Sequence, residues 1–399
     1  MEATCADAAA STAPLDPSDQ TSPTNATANG NSVTEDEAAL YDRQIRLWGL
    51  AAQTRLRCAH ILILGWNGIA TEILKNTVLS GIGSITILDP TCIDGSVDLL
   101  SGFFFRDEEV GQPKCSQGPL GRVRALNPLV KVNGIADMAS YTKLMQGGKE
   151  AQAWIMERGV DVVVAGTPLP EESGVAHVGS RASLVKLNET TRSAGVKFFF
   201  SATCGFGGFY FADQITHDYL LEKAAPPPTA NSTTSTDTSE TQRVKKRQNF
   251  VPLSSSLATK WHLSERQQRR TRIPLDWFIW LALTDLETRL APDSALTTLS
   301  SAALKERTEA LIREKGLVPN VILANHEDSV FDIVAAQGAM GVTLSPVAAV
   351  VGGILSQDIL NSIGGREEPV VNWLFLNMDA SGATTVHRIG ELPSAVVVD

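Results

Sequence analysis

Gly65, Gly68 and Asp89 are spaced to hold a phosphorylated nucleoside. The first two belong to a turn, Gly65-Trp66-Asn67-Gly68, between an apolar run and a helical stretch. Glycines at such a turn let the backbone come close to a phosphate, and the N-terminus of the next helix favours an anion. Asp89 closes the following apolar run, near the spacing of about 20 residues at which an acid meets ribose hydroxyls. The turn departs from Gly-x-Gly-x-x-Gly, because Asn67 and Ala70 stand at the second and third glycine positions. A working nucleotide loop and a structural remnant of one both fit this pattern.

Arg43, within Tyr41-Asp42-Arg43-Gln44, is a second candidate. A guanidinium neutralises phosphate charge through a planar, bidentate fork. The plainer alternative is a solvated helix face with local Asp–Arg pairs. Cys204 is a third candidate, as a thioester nucleophile. Such a cysteine needs a cation or a helix N-terminus to lower its pKa. Its neighbours are Phe and Gly after an apolar run, so a small buried cysteine is expected. The five cysteines form no Cys-x-x-Cys and are odd in number, which argues against a zinc ribbon or a disulfide framework. A reducing cytosol or nucleus fits them. His177, His217 and His262 have no liganding spacing, so no metal site is expected.

With 399 residues, 43% of them hydrophobic, the chain can bury a sizeable core in two or three structural parts. Its net charge of −10 argues against general nucleic-acid binding, which needs a basic face. The N-terminus has no cationic start or apolar segment, and apolar runs such as 277–283 are too short to cross a bilayer. Neither nucleic acid nor a membrane is expected as a partner.

The elements that must position these residues can be read in order. Residues 1–33 lack aromatic residues, Lys and Arg, and are expected to be a disordered tail. Thr34-Glu35-Asp36-Glu37 reads as a capping box opening a helix. Ala38, Tyr41, Ile45 and Trp48 share one face of it, while Arg43, Arg46 and Leu47 lie on another. Buried strands are expected at 60–64, 84–88, 161–165 and 196–200, with a helix at 69–79 ended by Gly81-Ile82-Gly83. The alternation gives an α/β fold, a doubly wound Rossmann-like sheet whose first part spans 34–223. Residues 224–249 read as a disordered insert of prolines and Ser/Thr, ending in the basic run Arg243-Val244-Lys245-Lys246-Arg247. That run is either a nuclear localisation patch or the end of a solvated linker. A helical insertion follows at 250–335, with stretches at 275–289 and 300–315. Ser345-Pro346 reads as an N-cap followed by proline at the first position of a further helix. Gly352 and Gly353 inside it would cost about 1 kcal/mol each, which implies a closely packed neighbour. A strand at 373–377 returns residues 336–399 to the first domain.

These residues bring a family into view. Leu-Tyr-Asp-Arg-Gln-Ile-Arg-Leu-Trp-Gly at 40–49, Ile-Leu-Ile-Leu-Gly at 61–65 and the segment 72–89 resemble the adenylation fold of ubiquitin-like-modifier activating enzymes, the ThiF/MoeB type. So do Val110-Gly111, Leu126-Asn127-Pro128, Lys197 to Phe200 and Val347 to Gln357. The chain is most similar to the smaller, non-catalytic subunits of heterodimeric members serving SUMO-like modifiers, ahead of the regulatory subunits serving Nedd-type ones. The resemblance implies a catalytic, cysteine-bearing (Uba-type) partner subunit that binds most of the ATP and Mg, and a SUMO-like modifier as substrate. It implies that Arg43 acts in trans at the partner's ATP site. Ser101 stands where active members carry a phosphate-binding arginine, and Thr167-Pro168 where they carry a magnesium-binding Asp-Asn. Lys114 remains near the family's lysine position. Gly65, Gly68, Asp89 and Lys114 are then vestigial, and the isolated chain is expected to be inactive. A nuclear location, with some cytoplasmic, is implied too. The rival readings are a stand-alone ThiF/MoeB-type adenylyltransferase, against which Ser101 and Thr167 speak, and a plain NAD-binding module, against which the Arg43 context speaks.

Overall fold

The computed structural model describes residues 35–166, 181–204, 206–223, 242–271, 273–287, 300–337, 343–378 and 383–398. Apolar runs form the centre of it. Strands β1 (His60–Leu64), β2 (Ser84–Leu88), β3 (Lys131–Ile135), β4 (Val162–Ala165) and β5 (Lys197–Cys204) are all parallel, side by side in the order β5-β4-β1-β2-β3. Helices cover both faces of such a sheet, so its central strands read as continuous Val, Ile, Leu and Phe. Ile61, Leu62, Ile63 and Leu64 are all buried, as are Phe198, Phe199 and Phe200. The expected strands at 60–64, 84–88 and 373–377 match residue for residue, while those at 161–165 and 196–200 differ by a residue or more at their ends.

β6 (Gly207–Asp213) turns back antiparallel on β5. The chain then leaves the sheet as β7 (Thr216–Lys223) and β8 (Gln242–Asn249). It returns as β9 (Trp373–Asn377), antiparallel to β6, and β10 (Ala383–His387), which completes eight strands. β11 (Val396–Val397) adds to β8, giving a second, three-stranded sheet.

One expectation is corrected here. The basic run is no part of a disordered insert: Arg243 to Arg247 lie in β8, paired along its length with β7. Asp218 of β7 takes Arg247 through two hydrogen bonds, of 2.6 and 2.8 Å, and Lys245 at 3.4 Å. Alternating outward cations facing a carboxylate across the ladder make a stable half-exposed strand. Read without its partner strand, the same run is only a cluster of charge. Residues 1–34 and 224–241 lie outside the described residues, and with them the Thr34 cap.

The helix Gly68–Leu79 packs against the twenty-residue helix Ser345–Gly364. A Cβ at Gly352 would stand 2.6 Å from Glu72 Cβ, so this glycine permits the close approach. At Gly353 a Cβ would meet nothing, and the expected neighbour is missing there. Ser345 does not cap the helix. Leu344 holds that position, and the Ser345 hydroxyl donates to the Leu100 carbonyl at 2.5 Å. By length and composition this helix could cross a membrane, yet most of it is buried inside the protein. Between β8 and that helix lie the helices Leu253–Ala258, Glu265–Arg270, Leu275–Glu287, Ser301–Glu314, Pro319–Ile322 and Ser329–Gln337. Trp277 and Trp280 of the third pack on the aromatic side chains of β5, β6 and β9.

Candidate functional site

Gly65 leaves β1 with φ of 85°, a left-handed conformation that favours glycine. Trp66 is wholly buried against Phe105, ring centroids 5.0 Å apart. Asn67 is the N-cap of the helix Gly68–Leu79, its side chain accepting from Ala70 N–H at 2.9 Å. The asparagine that breaks the glycine pattern therefore satisfies a helix-end donor that a phosphate would otherwise meet.

The groups around the loop are already engaged with one another. A Cβ at Gly68 would stand 2.6 Å from Ser101 Cβ and 3.1 Å from Thr343 Cγ2. Ser101 itself is buried. The close approach that Gly68 allows is used by this chain's own side chains. Asp89 is fully buried; it accepts Trp66 N–H at 2.6 Å with one oxygen, and Thr91 N–H and hydroxyl at 2.8 and 2.6 Å with the other. Lys114 is buried, ion-paired to Asp98 at 2.8 Å, donating to the Trp66 carbonyl at 3.3 Å and lying 3.9 Å from Asp89. Burial raises the Asp98 pKa, against the pull of Lys114. The Ser96 hydroxyl lowers that of Asp94, whose N–H is bound by Asp98 at 2.8 Å. Two carboxylates, Asp89 and Asp98, thus flank one ammonium, an unfavourable field for a triphosphate. In this arrangement the loop residues do not fit a bound nucleotide phosphate. The part played by Asp98 was not read from the sequence, since nothing local marks an acid as the partner of a lysine sixteen positions on. Thr167-Pro168 lie outside the described residues.

Arg43 makes none of these contacts; its neighbour Gln44 reaches the carbonyl of Leu79, at the end of the helix opposite Gly68. The helices Glu35–Leu40 and Asp42–Trp48 carry it. Tyr41 is buried and Trp48 packs on the core, while Arg43 and Arg46 are exposed. Arg46 pairs with Asp42 at 3.0 Å. Arg43 makes no hydrogen bond or ion pair among the described residues, so the Asp–Arg pairing expected on this face goes to the other arginine. Cys204 ends β5, opposite Gly207, and the surroundings of its side chain lie outside the described residues. At Cys115, whose thiol donates to the Ile87 carbonyl at 3.6 Å, burial pushes the thiol pKa up to about 12. No cluster of His, Cys, Asp or Glu able to hold a metal occurs among the described residues.

Known proteins resemble this arrangement. The model of the ThiF family matches residues 41–393. SUMO-activating enzyme subunit 1 of Xenopus laevis is 30% identical over 356 residues, covering 86% of this chain and 94% of that one. The protein of the same name from Homo sapiens is 28% identical over 358 residues, covering 87% and 94%. Among solved structures, that of PaaA superposes with a TM-score of 0.51 at 11% identity, over 93% of this chain and 78% of the other, a likeness of fold alone. With the doubly wound sheet and the Gly65 loop in place, this chain belongs to the ThiF family.

Proposed function

We propose that this chain is the non-catalytic half of a heterodimeric activating enzyme for a SUMO-like modifier. Relatives named SUMO-activating enzyme subunit 1 align with it over nearly their whole length, which supports both the modifier class and the need for a second subunit. In the assembled enzyme the modifier's C-terminal carboxylate attacks the α-phosphorus of ATP, and pyrophosphate leaves. A thiol of the cysteine-bearing subunit then attacks the acyl adenylate, forming a thioester and releasing AMP. ATP and magnesium belong to the partner's site, and this chain alone binds neither. Its own contributions are the dimer surface and Arg43, which reaches the partner's nucleotide and neutralises phosphate charge as it builds up. A nuclear as well as cytoplasmic location accompanies this reading; the basic run in β8 supports it, although Asp218 engages two of its cations.

The observation that supports the division of labour is the close approach of Ser101 to Gly68 at the helix N-terminus, where a Cβ would stand 2.6 Å from Ser101 Cβ. Modifier-dependent ATP–pyrophosphate exchange tests it. The purified chain should give none, and the reconstituted heterodimer should be active. Arg43→Ala should slow exchange by roughly 10- to 100-fold, about 1.4 to 2.8 kcal/mol of barrier, with the dimer intact on gel filtration. Arg43→Lys should restore only part of the rate, because a point charge lacks the planar fork. Robust exchange by the chain alone would overturn the proposal.

A further inference from the structure

We propose that the helix Glu265–Arg270 is a docking surface for an acidic protein segment that carries an apolar side chain, a role separate from the ATP chemistry. Two ties fix how this helix sits. The Gln268 side chain is buried, its amide donating to the Leu263 carbonyl at 2.8 Å and its oxygen accepting Val318 N–H at 2.9 Å. Ser264 and Gln267 close a capping box at the start of the helix. At about 100° per residue, Arg266, Arg269 and Arg270 fall within roughly a third of the helix circumference, on the side away from Gln268. All three are exposed, as is Lys260 just before them.

This arrangement works against the helix that carries it. Arg266 stands three and four residues before Arg269 and Arg270, and like charges at those spacings repel. The helix dipole favours Arg269 and Arg270 in the last turn but opposes Arg266 in the first. Within the helix only Glu265 offsets the cluster, bound to Arg269 at 2.6 Å, and with both side chains more than half exposed that pair is weak. Arg266, Arg270 and Lys260 form no hydrogen bond or ion pair among the described residues. Nearby, Lys315 is held below its usual pKa by burial, then by Arg181, with Lys260 adding to the effect and Glu314 opposing it.

Charge identifies the occupant. Guanidinium forks match carboxylates bidentately, and an incoming carboxylate would relieve the repulsion between Arg266 and Arg270. A long polyanion fits less well, because the chain carries −10 overall and the patch is screened beyond a Debye length of about 10 Å. A twofold contact with a second copy would set arginine against arginine. Half-buried Leu263 and exposed Val318, both tied to Gln268, supply the apolar contact beside the cations.

The test is fluorescence anisotropy of the full chain with a labelled peptide of Glu and Asp around one Leu. The peptide should bind, and more weakly as salt rises. Arg266→Glu with Arg270→Glu should weaken binding by about 10-fold or more. Arg266→Ala with Arg270→Ala should weaken it too, and circular dichroism should not change, since alanine is the best helix former. Lys143→Glu with Lys149→Glu, the same change of net charge on two other helices, should bind like the wild type. A peptide with Ser in place of Leu should bind the wild type more weakly. The proposal is overturned if the wild type does not bind at low salt, if both arginine variants bind like it, if the lysine control loses as much, or if the Ser peptide binds equally well. It is also overturned if a single-stranded oligonucleotide or phosphatidylserine vesicles bind the wild type more tightly than the peptide and lose that binding in the arginine variants. The occupant would then be a nucleic acid or a membrane.

Discussion

Asn127 Nδ2 donates to the Tyr41 hydroxyl over 2.7 Å and to the Val78 carbonyl over 2.9 Å, joining the helix of Arg43 to the body of the protein. Tyr41 leans over Gly81, where a Cβ would stand 2.5 Å from the ring. Gly81 has φ of 78°. The direction in which Arg43 leaves the surface is therefore set by contacts on the opposite side of its helix.

Removing that hydroxyl should be felt twice. Tyr41→Phe should cost about 1 kcal/mol in urea denaturation, the usual net value of one buried hydrogen bond. The same variant should lower exchange by the heterodimer, since the helix is less firmly held. Gly81→Ala should cost more, about 2 kcal/mol, because it adds a collision and a left-handed alanine. Unchanged stability in both variants would show that Tyr41 does not anchor the helix.

Restoring the family's arginine at Ser101 should fail. Ser101 is buried against Gly68, so Ser101→Arg must place a long cation where only a hydroxymethyl fits. The expected loss of stability is about 2 to 4 kcal/mol, from overpacking and an unpaired buried charge. The isolated variant should remain without pyrophosphate exchange. Exchange appearing with this single change would mean that the loop needs only one missing group.

The second sheet yields a test of the corrected insert. Lys223 and Gln242 are cross-strand partners, so a two-residue turn can join them. Replacing residues 224–241 by Asn-Gly should leave the melting temperature and heterodimer activity near wild type. Deleting 224–249 removes β8 with its Asp218 ion pairs and its pairing to β11, and should cost about 2 kcal/mol or more. Equal stability of the two deletions would show that β8 contributes nothing.

His217 should make the fold acid-sensitive. It is buried, with Nε2 at 2.9 Å from the Glu367 carbonyl, and its pKa falls to about 4. Burial is the main cause, with Lys197 repelling the protonated ring and Asp218 favouring it. The folded value lies below the unfolded one near 6.5, so the contribution is full above about pH 6.5. It is lost as pH falls through about 4, up to about 3 kcal/mol. Asp358, pushed up to about 7 by burial, works in the opposite sense, losing stability as pH rises. The readout is therefore the difference between wild type and His217→Gln in urea denaturation across pH. Parallel curves for the two proteins would contradict the assignment.

The sequence by itself determined four of the five parallel strands and the turn between β1 and the next helix. Short apolar runs such as Ile61 to Leu64 and Val162 to Ala165, bounded by glycine or a polar residue, have few other ways to be satisfied than as a buried strand. The amphipathic pattern of Tyr41 and Trp48 likewise placed Arg43 on an outer face before any contact was known. β3 could not be read, because only Val132 of it is buried and Lys131, Asn133 and Gly134 break the apolar run. β8 could not be read either, since its cations look like solvated charge until Asp218 stands across the ladder. The state of the nucleotide loop was a tertiary decision as well. Gly65, Gly68, Asp89 and Lys114 suit a working site as well as a remnant. Ser101, Thr343 and Asp98 decide between those states by filling space and using up hydrogen-bonding capacity, and their distances along the chain carry no trace of those contacts.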